Sequence, residues 1–354
     1  MRIPVAIVGI SGYSGLELLR IALAHPGIEC AAVVASEAKS GQSVADIHPH
    51  LRSLTQLTCQ PPDMRKLAAA GCRTVFLCTP NEVSHKLVPQ ILECGMKAID
   101  LSGSYRLREA SLYSSWYGFD HEAPALLREA VYGLPEWYAD AVREARLVAN
   151  PGCYPTSVLL ALLPLVRAGA LANDSDIVCD SKSGVTGAGR SLRTDLLFGE
   201  VSENFRAYSP IVHRHAPEIC QELGWAFDSL TFVPHLIPVN RGILSTIYVR
   251  FDPPQTAAAL DAAYRERYRD CPFIRLLGTS RLPELSAVNH SNFCDIGWRL
   301  TAEGRKAVIF SAIDNLVKGA AGQAVQNFNL MHGFPETLGL LERCDLESHA
   351  EIGR

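Results

Sequence analysis

The chain has 354 residues, 48% of them hydrophobic and 20% charged, which excludes a disordered polypeptide and predicts two domains or three. Lys and Arg number 33 against 37 Asp and Glu, so the formal charge is −4 and there is no overall basic field to hold a nucleic-acid backbone. Eleven cysteines, an odd count spread along a long chain, do not read as a disulfide framework; they indicate a reducing, cytoplasmic setting.

The N-terminus has an early basic residue and then an apolar run. Ile3–Ile10 is short, ends in a glycine cluster and lacks an A-x-A-like site, so a buried first strand is predicted rather than a signal peptide. No run of about 18 uncharged apolar residues predicts a membrane span. Pro4–Ile10 is a strand, and Ser14–His25 places Leu16, Leu19 and Leu23 at helical spacing before Pro26-Gly27. Ile28–Ala35 is a strand, Met64–Ala70 a short helix, Thr74–Thr79 a strand, Val83–Cys94 a helix closed by Gly95, and Lys97–Leu101 a strand. Such alternation predicts a parallel sheet of βαβ units. The pattern then changes. Thr156–Ala168 is an apolar helix with a kink at Pro164, and Ile177–Ser181 a strand leading into a Gly-rich loop. Ser229–Val233 and Ile243–Phe251 are strands separated by a His235–Gly242 segment, followed by the helix Thr256–Tyr268, the strand Val308–Ile313 and a helical tail from Asp314. The predicted fold class is α/β: a Rossmann-type parallel-sheet domain, residues 1–148 and 314–354, with an α+β domain inserted at 149–313.

Between the first strand and first helix stands Gly9-Ile-Ser-Gly12-Tyr-Ser-Gly15. At such a turn backbone N–H groups and the positive end of the helix dipole meet an anion, and glycine lets a pyrophosphate approach. Gly9, Ser11, Gly12, Tyr13, Ser14 and Gly15 are therefore predicted to cradle a dinucleotide, although the spacing is G-x-x-G-x-x-G; a ligand-free turn is the alternative. The second strand ends in Ala35-Ser36-Glu37-Ala38-Lys39. Ser36 and Lys39 suit the 2′-phosphate of NADP, Glu37 argues the other way, and NADP is the expected cofactor.

Asn150-Pro-Gly-Cys153-Tyr-Pro155-Thr156 joins an apolar strand to an apolar helix. Cys153 falls just before the helix N-terminus, where the dipole favours a thiolate, and Pro151-Gly152 makes the turn that exposes it. The other ten cysteines read as small hydrophobes or bystanders. A thiol nucleophile needs an acid–base partner. His213-Arg214-His215-Ala216-Pro217-Glu218 is the densest candidate, with Glu218 three residues from His215 and placed to orient its imidazole. His235 is a rival base, and a polar loop capping a helix is the bland alternative. His-x-His with a Glu also suits a metal, yet no second ligand pair at zinc-like spacing accompanies it, so no metal is predicted. The Ser181–Arg190 loop, with Ser183 and Gly184, offers amides, hydroxyls and cations to a phosphate or carboxylate, and Arg106 offers a cation at a strand end. Asn315–Asn327, with Lys318 and Gly319, reads as a helix faced with Gly and Ala, suited to a cofactor or to tight helix packing.

Together these motifs resemble the N-acetyl-γ-glutamyl-phosphate reductases within the wider semialdehyde dehydrogenases: GxxGYSG at Gly9–Gly15, DLSGSYRL at Asp100–Leu107, VYGLPE at Val131–Glu136, ANPGCYPT at Ala149–Thr156, KSGVTGAGR at Lys182–Arg190, HRHAPEI at His213–Ile219, PHLIPVNRGI at Pro234–Ile243 and NLVKGAAGQAVQN at Asn315–Asn327. The resemblance spans nearly the whole chain in order. It departs at Gly103-Ser104-Tyr105, where relatives often have Ala-Asp-Phe. It implies an enzyme of arginine biosynthesis in which the Cys153 thiolate attacks an acyl phosphate, phosphate leaves, and NADPH reduces the thioester to N-acetyl-glutamate 5-semialdehyde while His215 handles the proton. It further implies that Gly184, Asn315, Lys318 and Gly319 contact NADP, that Arg106, Ser183 and His213 contact substrate, and that the inserted domain is catalytic and self-associates through its sheet as a homodimer or homotetramer. No nucleic-acid or membrane partner is implied. The same chemistry on aspartyl phosphate, or on a carrier-bound aminoadipyl or glutamyl phosphate, is the nearest alternative; an NADP sensor without catalysis is the other.

Overall fold

The structure, a computed structural model, describes residues 2–172 and 177–341; Cys344 and the end of the predicted C-terminal tail lie outside the described residues. These residues fall into two compact units. One comprises the chain up to Tyr113, Phe119–Pro151 and the chain from Ala320 onward; the other comprises Ser114–Gly118 and Gly152–Gly319.

The first unit is built on seven strands: β1 (Ile3–Val8), β2 (Ile28–Val34), β3 (Cys59–Gln60), β4 (Thr74–Leu77), β5 (Lys97–Asp100), β6 (Val131–Tyr132) and β7 (Leu147–Ala149). Their order is β3-β2-β1-β4-β5-β7-β6 and every pairing is parallel. Val5, Ala6, Ile7, Val75, Phe76 and Leu77 are fully buried, the near-continuous apolar runs that strands of a parallel sheet need. The order reverses between β1 and β4, so a ligand crevice is expected beyond the carboxyl ends of those two strands. This is the Rossmann-type arrangement predicted.

Two features of this unit escape a local reading. The helix Asn81–Glu93 contains Pro89, whose missing N–H leaves the His85 carbonyl without its intrahelical donor. Tyr105 supplies one, its Oη donating to His85 O at 2.9 Å. The second is the C-terminal helix Gly322–Met331, buried along its length although Gln323, Gln326, Asn327 and Asn329 are polar. Gln323 Nε2 and Asn327 Nδ2 each donate to Gly133 O at 2.9 Å, and Asn327 Nδ2 also reaches Asn150 Oδ1 at 3.1 Å. The Gly/Ala-faced segment predicted as one helix starts instead as a π-helical turn, Val317–Ala321.

The second unit carries β8 (Ile177–Gly184), β9 (Arg206–Ala207), β10 (Leu230–Ile237), β11 (Ile243–Arg250), β12 (Ile274–Gly278), β13 (Cys294–Leu300) and β14 (Lys306–Ile313) in the mixed order β12-β13-β14-β11-β8-β10-β9. Cys179, Phe232, Ile247 and Ile309 are fully buried on the face covered by helices, which include Cys153–Arg167. Val178, Val233, Leu244, Thr246, Val308 and Phe310 alternate with them and stay partly exposed. β10 does not stop at Val233 as predicted but runs through His235 to Ile237. Pro234 is tolerated because its carbonyl accepts from Tyr208 N–H on the β9 side, so its missing donor faces the sheet edge. The helix predicted from Thr156 begins at Cys153 and continues unbroken past Pro164 to Arg167. Tyr268 Oη donates to Leu160 O, the carbonyl that Pro164 strands, and Tyr264 Oη to the adjoining Ala161 O, both at 2.6 Å. No helix among the described residues is long and apolar enough to cross a membrane.

Candidate active site

In the first unit, the Gly9–Gly15 turn follows β1 and opens the helix Tyr13–Ala24, with Gly12 as its extended N-cap. The three glycines have different reasons to be there. Gly9 has φ +91° and its missing Cβ position lies 2.3 Å from Cys78 O, the residue just past β4. A Cβ on Gly15 would stand 2.4 Å from Gly9 O. Gly9 is required by the close meeting of the β1 and β4 ends, and Gly15 by the folding of the helix start back onto the turn. Gly12 meets nothing nearer than 3.7 Å, so the absence of a side chain there leaves open space at the helix N-terminus. Such a cradle fits a dinucleotide pyrophosphate. Ser11, Tyr13 and Ser14 border it, each partly exposed. His48, not singled out by its sequence, is buried and donates from Nε2 to Ile10 O at 2.8 Å, bracing the turn. Past β2, Ser36 and Glu37 are exposed and open a short 3-10 turn that ends at Lys39. The Lys39 ammonium lies near enough to the Cys59 thiol to oppose the burial that pushes that thiol up.

Arg106 was predicted to offer its guanidinium to a ligand. It is buried, with Nε donating to Asn150 O and Nη2 to Leu101 O, both at 2.8 Å. Those two bonds clamp the end of β5 to the residue ahead of Pro151-Gly152. The departing Gly103-Ser104-Tyr105 segment is equally committed: Gly103 N donates to Asn81 Oδ1 at 2.8 Å and Ser104 Oγ to Asn81 O at 2.5 Å.

In the second unit, Cys153 is the first residue of its helix, with Gly152 as N-cap. Gly152 N–H donates to Glu218 Oε1 at 2.8 Å, and Glu218 is fully buried. Glu218 therefore reaches the turn that carries the thiol, a contact its spacing from His215 did not suggest. Thr156 Oγ1 donates to Gly152 O at 3.0 Å and tightens the first turn. Gly319 lies against the nucleophile, since a β-carbon there would be 2.7 Å from Cys153 Cβ. The ten described cysteines are outside disulfides. Burial pushes Cys30 and Cys220 up to about 12 and pushes Cys78 and Cys179 up as well, so these are inert reservoirs of sulfur. Cys153 is partly exposed and opens a helix.

Beside it lies an aromatic and imidazole cluster. Tyr154 packs edge-on against His213 and His215, at ring-centroid distances of 5.5 and 5.9 Å, and the two imidazoles are 4.7 Å apart. Tyr154 and Tyr208 share a hydroxyl hydrogen bond of 2.9 Å. Burial pushes Tyr208 up to about 12, with Cys153 adding to the rise, which puts that phenol within electrostatic range of the thiol. His215 N–H donates to His213 Nδ1 at 3.1 Å. Burial, helped by Arg214, pushes His213 down to about 4, so it is neutral at physiological pH. His235, the rival base, lies apart on the partly exposed face of the sheet, its Nδ1 2.9 Å from Asp180 Oδ1. A cavity of about 460 Å³ is lined by Tyr208, His213, Arg214, Gly187, Arg193 and Arg206, among others, a size suited to a small ligand.

The remaining predicted residues serve the loops around this cluster. Ser183 Oγ donates to Gly184 O at 3.0 Å, and a Cβ on Gly184 would meet the Asn240–Arg241 backbone at 2.7 Å. Asn315 Oδ1 accepts from Gly242 N–H and its Nδ2 donates to Thr186 Oγ1, which knits those loops together. Lys318 is fully buried with Nζ 5.5 Å from the centroid of Phe273. Asp314, missed in the sequence, is fully buried; its Oδ1 accepts from Leu316 and Val317 N–H and its Oδ2 from His290 N–H. Among the described residues no group of three or more His, Cys, Asp or Glu is placed to hold a metal.

Residues 4–145 match the family profile described as semialdehyde dehydrogenase, NAD binding domain, and residues 153–315 the one described as semialdehyde dehydrogenase, dimerisation domain. N-acetyl-gamma-glutamyl-phosphate reductase from Halorhodospira halophila is 48% identical, and that from Marinobacter nauticus 45%, each over 96% of this chain and 98% of the relative. Among solved structures, aspartate semialdehyde dehydrogenase with NADP from Candida albicans aligns at TM-score 0.71 and 14% identity, and aspartate semialdehyde dehydrogenase II from Vibrio cholerae at 0.69 and 18%, each over 94% of this chain and 99% of the other. At those identities the likeness is one of fold. With both family profiles matched in order and near-full-length relatives at 45–48% identity, the chain belongs to the semialdehyde dehydrogenase family, with the N-acetyl-gamma-glutamyl-phosphate reductases.

Proposed function

We propose that this protein reduces N-acetyl-γ-glutamyl phosphate to N-acetyl-glutamate 5-semialdehyde and inorganic phosphate, with NADPH as the reductant, as a step of arginine biosynthesis. The observation that carries this reading is Cys153 at the first position of a helix, backed by Gly319 and followed by Tyr154, whose ring packs against His213 and His215.

Cys153 is the nucleophile. The helix dipole favours its thiolate, which adds to the acyl carbonyl; the C–O bond to phosphate breaks and a thioester forms. Gly9, Ser11, Gly12, Tyr13, Ser14 and Gly15 hold the dinucleotide, with Ser36 and Lys39 at its 2′-phosphate, and when bound NADPH supplies the hydride that reduces the thioester. His215 holds the proton that the resulting oxyanion needs and takes it back as the thiohemiacetal releases aldehyde and thiolate. Glu218 fixes the Gly152 turn, and Ser183 and His213 border the substrate. Arg106 positions the Asn150–Gly152 turn through backbone carbonyls. Gly319 admits the thiol, while Asn315, Lys318 and Gly184 hold the surrounding loops. The partly exposed sheet face around Val178, Leu244, Val308 and Phe310 is the self-association surface of a homodimer or homotetramer, and ten described cysteines outside disulfides suit a reducing cytoplasm.

The test is the reverse reaction. N-acetyl-glutamate semialdehyde should reduce NADP only when phosphate is present. Phosphate-independent oxidation, or a preference for aspartate semialdehyde, would contradict the reading.

A further inference from the structure

The cavity beside Tyr208 and His213 contains an ion-pair triad that the mechanism above does not use. Arg193 grips Asp195 with two parallel bonds, Nε to Oδ1 at 3.0 Å and Nη2 to Oδ2 at 2.6 Å. Arg206 approaches the same carboxylate from the edge strand β9, with Nη2 2.6 Å from Oδ2 and 3.0 Å from Asp195 O. All three residues line the cavity. Arg193 also lies within electrostatic range of Tyr208 Oη, as Cys153 does, so the triad and the thiol flank one phenol.

We propose that the Arg193–Asp195–Arg206 triad binds the α-carboxylate of the substrate and so selects a small acidic acyl phosphate; this rests on the function proposed above. Two guanidiniums and one carboxylate leave a net charge of one positive. That matches a single carboxylate. A phosphate dianion would exceed it and would face the fixed charge of Asp195 at close range. Asp195 is a positioning residue: it holds two long side chains in one geometry, leaving Nη1 of each guanidinium to donate to the ligand. Without that anchor an exposed arginine spends conformational entropy on each binding event.

The reverse reaction has three separate substrates, so three KM values assign the subsite. Arg206→Gln should raise the KM for N-acetyl-glutamate semialdehyde about 10- to 100-fold, the range of a lost charge-assisted bond, and leave kcat and the KM values for phosphate and NADP within about twofold. Asp195→Asn should move the same KM in the same direction, and Arg206→Lys should recover part of it. Wild-type protein should prefer the semialdehyde to its α-carboxamide analogue, and Arg206→Gln should erase that preference. A rise in the phosphate KM instead, or an unchanged preference in both variants, would overturn the subsite while leaving the reaction standing. Absence of phosphate-dependent turnover in the wild type would overturn the function and the subsite together.

Discussion

A β-carbon on Gly319 would stand 2.7 Å from Cβ of Cys153 and 3.2 Å from its Cα, closer than side chains approach. Gly319 N–H donates to Asp314 O at 2.9 Å, and the Asp314 carboxylate ties down the residues between. The segment is thus folded so that bare backbone meets the thiol. Gly319→Ala should push the nucleophile out of line and lower kcat about 100-fold, the cost of a displacement near 1 Å, while overpacking lowers stability by only about 1–3 kcal/mol. Steady-state kinetics alongside a melting curve checks both.

The dinucleotide turn allows stability and binding to be separated. Gly15→Ala sets a methyl 2.4 Å from Gly9 O and should unfold or strongly destabilise the first unit. Gly12→Ala meets only an ordinary contact at 3.7 Å and should keep the melting temperature, yet weaken NADPH binding about tenfold or more by filling the approach to the pyrophosphate. Fluorescence titration with NADPH reads the second effect; equal melting losses would contradict the division.

Tyr105 and Tyr268 do the same work in different units. Each donates its hydroxyl to the carbonyl stranded four residues before a helix proline, Pro89 and Pro164. Tyr105→Phe and Tyr268→Phe should each cost about 1–3 kcal/mol, the price of a buried unsatisfied carbonyl. Denaturant unfolding of the two variants, one lesion per unit, measures it.

Acid should destabilise the fold before it protonates most carboxylates. Burial pushes His121, His213 and His332 down to about 4 from an ordinary value of 6.5. Between those pH values the unfolded chain binds more protons than the folded one, so stability is complete above about 6.5 and falls as pH drops towards 4. His121 shows why: its ring is 4.4 Å from that of His85, and burial together with that neighbouring imidazole outweighs the backbone hydrogen bond that favours its charged form. His121→Gln should flatten the decline in melting temperature across that window.

The parallel sheet, the glycine turn and the Cys153 helix start are legible in the sequence because each is local: apolar runs, a strand–turn–helix junction, a proline near a helix start. The rest depends on partners far along the chain. Asn327 and Gln323 look like surface residues of a small-faced helix, yet they bond to Gly133 across separations of 194 and 190 residues. Arg106 looks like a ligand cation, and its Nε also holds Asn150 O across a separation of 44 residues that no local pattern reveals. Asp314 and His48 carry no motif, since their role is to satisfy backbone N–H and C=O groups of loops whose course no local pattern reveals. His235 was a candidate base until the strand's alternation turned it to the outer face beside Asp180.

The central claim is covalent catalysis at Cys153, and the direct measurement is mass spectrometry of the protein mixed with N-acetyl-γ-glutamyl phosphate without NADPH. An N-acetylglutamyl adduct should appear on the peptide containing Cys153, disappear when NADPH is added, and be absent from Cys153→Ser, which should still bind NADPH. An adduct on another cysteine, or undiminished turnover by Cys153→Ser, would contradict the account.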